Sequence, residues 1–188
     1  MSQGSPSARR VELVDAVYAY ALENGLAGAS LRPVAEAIGS STGVLRFLFG
    51  SKDGLVRAVL ERARRDELEL LSRLPTDGDL AQVAGDVWSW LAAPAHSPVL
   101  RLWVESYATA LVDPDGPWGD FARRTVEDWL ALLARAQPGA VRRTNAASAQ
   151  RTAVLAVLRG GLLDLLATGQ EPRVTRAVHA GIAALTAD

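Results

Sequence analysis

The 188-residue chain has no cysteine, one lysine, one methionine and two histidines. Without cysteine there is no disulfide and no thiolate metal site. His96 and His179 stand alone, and a metal site would need further ligands at matching spacing. No cofactor is therefore expected. Nucleophile-elbow, phosphate-loop and dinucleotide fingerprints are all missing, so the chain does not read as an enzyme. Asp113 and Asp115 flank Pro114, but turn formation accounts for that pair. Apolar runs are short: residues 153–158 end at Arg159, far below a membrane span. The Ser/Gly/Pro-rich residues 1–8 lead into no apolar stretch, so they are expected to be a disordered tail and not a signal peptide. These absences point to a cytoplasmic protein. There is also no overall basic signature, since the net charge is −1.

The charge is unevenly placed. Residues 1–65 hold nine Lys/Arg against six Asp/Glu, a net +3, and the remainder carries −4. A basic first third on an acidic remainder suits a small nucleic-acid-reading head on a larger body. No sustained period-2 pattern occurs, and helical spacing runs nearly throughout. Helices are expected over 8–24, from 30 or 31 to the turn at Gly39, then over 42–49, 52–74, 80–93, 99–112, 118–136, 145–167 and 172–187. That makes an all-α protein of nine helices. Val11, Val14, Tyr18 and Leu22 form the expected inner stripe of the first helix, and Gly25 its left-handed end. Ser30 and Ser51 are expected N-caps, and Pro33 fits a first helical turn. Pro75-Thr76-Asp77-Gly78 reads as a break.

The most informative segment is 30–52. Val34, Ala35 and Ile38 precede Gly39, and Val44, Leu45, Leu48 and Phe49 follow it. Each short helix thus gains one apolar side, and Gly39 supplies the positive φ of a sharp turn. Ala35 is small where a second helix would cross closely. This is the layout of a helix-turn-helix, whose second helix enters the DNA major groove.

Asn24-Gly25, Ser30-Leu31-Arg32-x-Val34-Ala35, Gly39-Ser-Ser-Thr-Gly-Val-Leu45 and Phe49-x-Ser51-Lys52-Asp53-x-Leu55 together resemble the TetR family of transcriptional repressors. The resemblance covers about residues 8–57. A similar penultimate helix spans 153–167. The resemblance implies a tail over 1–8, a DNA-binding domain over 9–51 and a ligand-binding and dimerisation domain over 52–188, joined by the helix that starts at Lys52. It implies that Ser41, Thr42, Gly43 and the outer side of the third helix face double-stranded operator DNA. Arg32 and Lys52 would hold phosphates, Lys52 at a helix N-terminus. Arg9 and Arg10 would touch a neighbouring phosphate or the minor groove. The chain departs from the family after Leu45, where Arg46, Phe47 and Leu48 replace the usual Tyr and, two positions on, His or Tyr. Arg46 can pair with guanine or a phosphate, whereas Phe47 offers only apolar contact, as to a thymine methyl.

The resemblance also implies an effector pocket in the middle of the chain. Trp88, Trp103, Tyr107 and Trp129 lie on three expected helices there, with Glu105 as a polar partner; aromatic walls suit a planar or apolar small molecule. A homodimer is implied as well, formed by the last two helices. Their apolar stripes are Leu155, Leu158, Leu162, Leu165 and Leu166, then Val178, Ile182 and Leu185. Gly160-Gly161 would admit a helix at close range. A ligand-responsive repressor on a palindromic operator is the expected function. The alternative is a helical protein-interaction module that has lost operator binding, for which Phe47 and Leu48 are the hint.

Overall fold

The structure is a computed structural model that describes residues 6–73 and 78–187. Among these residues there are nine α-helices, one short 3-10 turn (Pro94–His96) and no strand. The helices are α1 (Pro6–Asn24), α2 (Leu31–Ala37), α3 (Thr42–Phe49), α4 (Lys52–Arg73), α5 (Leu80–Ala92), α6 (Ser97–Val112), α7 (Phe121–Arg135), α8 (Asn145–Thr168) and α9 (Glu171–Thr186). The all-α expectation holds, and α3 has the bounds read from the sequence. The start of α7 is three residues later than expected. Backbone turns at Gly119→Gly116 (3.1 Å) and Phe121→Trp118 (2.8 Å) prolong the Pro/Asp/Gly cluster. Of the expected break at 75–78, only Gly78 lies among the described residues.

Contacts divide the chain into two compact units. One comprises residues up to 68 with 101–122, and the other 69–100 with the residues from 123 onward. This differs from the expected division at 8 and 51. Residues 6–8 belong to α1 and not to a tail. The first part of α4 and most of α6 join the N-terminal helices because they share one core. Leu13, Val17, Val34, Leu45, Val59, Leu102 and Trp118 are all buried in it.

Within the first unit, α1 buries Leu13, Val14, Val17, Tyr18 and Ala21. The expected stripe was out of phase at Val11, which is 57% exposed. Val11 instead borders a groove of about 400 Å³ that is also lined by Val14, Ala58 and Leu68. Beside it, Arg62 of α4 ties the two helices. Its Nε donates to Asp15 of α1 at 2.7 Å, its NH1 donates to Asp66, and its guanidinium lies 5.2 Å from the Tyr18 ring centroid. Burial, and then the Asp66 carboxylate, push the Tyr18 phenol up to about 12.

Within the second unit, α8 packs on α9, and α5 packs on both. Apolar residues of α5 recur at Leu80, Val83, Ala84, Val87, Trp88 and Leu91, one wide buried face. Gly161 sits where α8 meets α9 and α5. A side chain there would collide with Val178 and with the Trp88 ring. Gly160 faces open space. Only one of the two glycines therefore serves close packing inside the chain. α8 is capped at both ends: Thr144 Oγ1 accepts from the Ala147 amide at 3.2 Å, and Gly169, at φ +66°, returns its amide to Leu165.

Candidate nucleic-acid interface

The segment between α2 and α3 is built by its backbone. Gly39 takes φ +61°, the left-handed value expected of it. The Gly39 amide donates to the Glu36 carbonyl at 3.2 Å and the Ser40 amide to the Ala35 carbonyl at 2.8 Å. That pair of bonds is a Schellman ending, which satisfies the last carbonyls of α2 and reverses the chain. Ser41 then caps α3, with its Oγ accepting from the Val44 amide at 3.2 Å. Ser51 does the same for α4, accepting from Gly54 at 3.1 Å. Ser30 occupies the N-cap position of α2 in extended backbone, but its side chain makes no cap bond.

Burial orients α3. Leu45 and Phe49 are inside with Val34 and Ala35 of α2, and Leu48 is half-buried. The opposite side is open. Phe47 is 83% exposed, Val44 is 38% exposed, and Gly43 and Arg46 are exposed. Thr42 is half-buried at the start of the helix. Val44 corrects the sequence reading, which placed it on the inner side. The buried ridge is Leu45–Phe49, four apart, and residue 44 falls just off its edge.

The charged candidates sit on the same unit. Lys52 is exposed at the first position of α4, where unpaired amides favour an anion. Arg32 is exposed on α2 and pairs with Glu36 at 3.1 Å. An exposed pair of this kind contributes about 0–1 kcal/mol, so a phosphate can compete for the guanidinium. Ser41 has its oxygen engaged in the cap, which leaves its hydroxyl proton to donate outward. Arg9 and Arg10 sit on this unit as well. Both are in α1, Arg9 paired with Glu12 at 3.0 Å and Arg10 with its guanidinium 5.1 Å from the Phe49 ring centroid. Gly54 was missed in the sequence. A side chain there would overlap the carbonyl oxygen of Phe49, so glycine lets α4 start hard against the end of α3.

The five residues expected to form an effector site fall into two groups. Trp88 and Trp129 belong to the second unit and are buried. Trp88 is a core residue: its Nε1 donates to Thr175 Oγ1 at 2.9 Å and its ring meets Gly161. Its place on the wide buried face of α5 explains this. Trp103, Glu105 and Tyr107 belong to the first unit. The Trp103 and Tyr107 rings stack with centroids 5.1 Å apart, as i,i+4 neighbours can. The Trp103 Nε1–H is buried and meets no acceptor among the described residues. Glu105 has a different partner from the one expected. Its carboxylate accepts from the Leu26 amide (3.0 and 3.2 Å) and the Ala27 amide (2.8 Å), clasping the loop after α1. Gly25, at φ +75°, leaves room for that carboxylate.

The stripes expected for self-association are mostly interior. Leu155, Leu158 and Leu162 of α8 and Val178 and Ile182 of α9 are buried within the chain. Leu165, Leu166 and Leu185 are half-buried. The largest apolar residues of two packed helices go to their shared core, which spacing alone does not separate from an outer interface. The outward side of α8 carries Ala149, Ala156, Gly160, Leu163 and Ala167, and that of α9 carries Ala177, Ala180 and Ala184, all exposed. From Ala156 onward on α8, and throughout this set on α9, they recur at alternating steps of three and four.

Among the described residues, no helix is long and apolar enough to cross a membrane. No protein-family model matches the chain. Two curated relatives match it along nearly its whole length. The HTH-type transcriptional regulator BetI of Paraburkholderia phytofirmans is 30% identical over 183 residues, 93% of this chain and 89% of that protein. BetI of Paraburkholderia xenovorans gives the same figures. Among solved structures, a TetR-family transcriptional regulator from Cytophaga hutchinsonii superposes with a TM-score of 0.78 at 16% identity, covering 98% of each chain. A transcriptional regulator from Rhodococcus sp. Rha1 gives 0.77 at 24%, covering 96% of this chain and 95% of the other. The multidrug binding protein EbrR, solved with imidazole, gives 0.68 at 26%, covering 93% and 89%.

Proposed function

From the chain's membership of the TetR family of helix-turn-helix transcriptional regulators, which its relatives show, we propose that it is a ligand-responsive repressor acting as a homodimer. Each protomer would lay α3 in the major groove of one half of a roughly palindromic operator. The observation that carries this reading is the open side of α3. Phe47, Arg46 and Gly43 are exposed there, while Leu45 and Phe49 anchor the helix from behind. Arg46 would meet guanine or phosphate, and Lys52 and Arg32 would hold the backbone. Ser41 and Thr42, at the N-terminal end of α3, would add hydroxyl contacts.

Dimerisation would use the outward faces of α8 and α9 and not the buried leucines. Small residues at alternating spacing let helices pack closely, and a groove of about 590 Å³ lined by Ala146, Ala149, Ala153 and Leu185 continues that surface. A two-fold pair of reading helices would cover two half-sites about one helical turn apart. The effector would be a small planar or apolar molecule bound beside the Trp103–Tyr107 stack. The buried indole N–H of Trp103 supports this reading, because an unmatched buried donor costs about 1–3 kcal/mol that an acceptor on a ligand would recover. EbrR, at 26% identity, is described as a multidrug binding protein and is solved with imidazole, and in other structures with proflavin and ethidium. The effector would act by binding two states of the protein unequally, with α4 carrying the difference toward α3. Such a protein works in the cytoplasm, where its DNA is.

Selection of bound duplexes from a random-sequence pool tests the reading. A recovered site with two inverted halves supports it. Recovery of no sequence above the starting pool contradicts it, and would favour the protein-interaction module.

A further inference from the structure

We infer that Val44 and Phe47 form an apolar reading ridge that selects thymine methyl groups on neighbouring base pairs of each half-site. The inference rests on the DNA-binding reading above and adds what the α3 face recognises. Val44 and Phe47 are three residues apart, so they share one face of the helix, about 4.5 Å apart along its axis. Both are exposed, at 38% and 83%, whereas the two large apolar residues of the opposite side are buried. A phenyl ring neither donates nor accepts a hydrogen bond. The base edges of the major groove offer donors, acceptors and a single apolar group, the 5-methyl of thymine. The ridge therefore matches that methyl and no other feature of the groove. Its axial spacing is close to one base step, which fits methyls on adjacent pairs.

The surroundings suit a nucleic acid better than an apolar protein surface. Arg46 adjoins Phe47 on the exposed side of α3, and Lys52 follows at the start of α4. Beside the ridge, Gly43 leaves the backbone open: a side chain there would meet only Ser41 Oγ, at 3.7 Å. The helix can thus come close enough to the bases for van der Waals contact. With Phe47 leading the face, hydrogen-bonded readout falls to Arg46, and the apolar ridge supplies the rest of the discrimination.

The test uses the full chain and the duplex recovered from a random-sequence pool, synthesised once with thymine and once with deoxyuracil at single positions. Deoxyuracil keeps the hydrogen-bonding edge and removes only the methyl. The expected result is a loss of about fourfold in affinity for each contacted methyl removed, at one or two adjacent positions per half-site. In Phe47→Ala, and separately in Val44→Ser, which removes both valine methyls, the thymine and deoxyuracil duplexes should bind equally at the position concerned, while salt-dependent binding persists. Equal binding of the two duplexes by the unaltered protein overturns the inference and leaves the DNA-binding reading standing. A methyl penalty that survives in both variants also overturns it. If no duplex is recovered at all, the DNA-binding reading fails, and this inference fails with it. Phe47 is exposed, so its truncation should leave the fold intact, and circular dichroism checks that for both variants.

Discussion

Gly54 shows how one missing side chain can set the start of α4 against the end of α3. In a helix interior, alanine is ordinarily more stable than glycine by about 1 kcal/mol. At 54 the new methyl would overlap the Phe49 carbonyl oxygen, and a backbone atom cannot swing away as a side-chain tip can. Gly54→Ala is therefore expected to lower stability by about 1–3 kcal/mol, the usual cost of overpacking, and to weaken DNA binding by displacing the end of α3. Urea unfolding measures the first effect; a rise in midpoint would show that the contact relaxes freely. At this scale the sequence was legible wherever a residue acts on its own backbone. Gly25 and Gly39 take positive φ, and Ser51 caps α4. It was less legible where the outcome depends on a neighbour from elsewhere in the chain. Gly54 needs knowledge of Phe49 across a turn, and Glu105 finds its partners 78 and 79 residues away. Ser30 is the exception among the local readings: its backbone is cap-like, but its side chain makes no cap bond.

At the scale of elements, the helices were read well because a period of 3.6 residues marks each of them. Their phase was less secure. Val11 and Val44 both appeared to face inward, and both are exposed: the interior side of α1 is taken by Leu13, Val14 and Val17, and that of α3 by Leu45 and Phe49. The same competition decided α8 and α9. Leu158 is fully buried among α5, α8 and α9, whereas Leu163 is 52% exposed on the outer side. The two residues should behave differently. Leu158→Ala should cost about 2–5 kcal/mol of stability by opening a cavity. Leu163→Glu should leave folding nearly unchanged but shift the protein toward monomer, since a charge would be buried against its own copy. Sedimentation velocity at micromolar concentration distinguishes these outcomes. An unaltered protein that is already monomeric, or a Leu163→Glu dimer as tight as the original, would contradict the proposed interface. The clasp of Glu105 on the Leu26 and Ala27 amides is a second elemental link. It binds α6 to the loop between α1 and α2, beside the aromatic pair on the same helix.

Across the whole molecule, function was more legible than architecture. The helix-turn-helix spacing and the basic first third both pointed to a DNA-binding regulator, and the relatives show that family. The division of the chain was not legible in the same way. α4, α6 and α7 each run through the boundary between the two compact units, so no linker composition marks it. In the proposed function, that continuity would give an effector a covalent route along α4 toward α3. In the proposed mode of binding, α3 and the start of α4 engage DNA through Arg46 and Lys52. The most direct measurement is the affinity of the unaltered protein, Arg46→Ala and Lys52→Ala for one selected duplex over a range of salt concentrations. Each phosphate contact contributes about 0.9 to the slope of log affinity against log salt. Lys52→Ala should weaken binding and flatten that slope by about 0.9 per protomer. Arg46→Ala should weaken binding, with a flatter slope if it holds phosphate or relaxed base preference if it reads guanine. Unchanged affinity and slope in both variants would contradict the account.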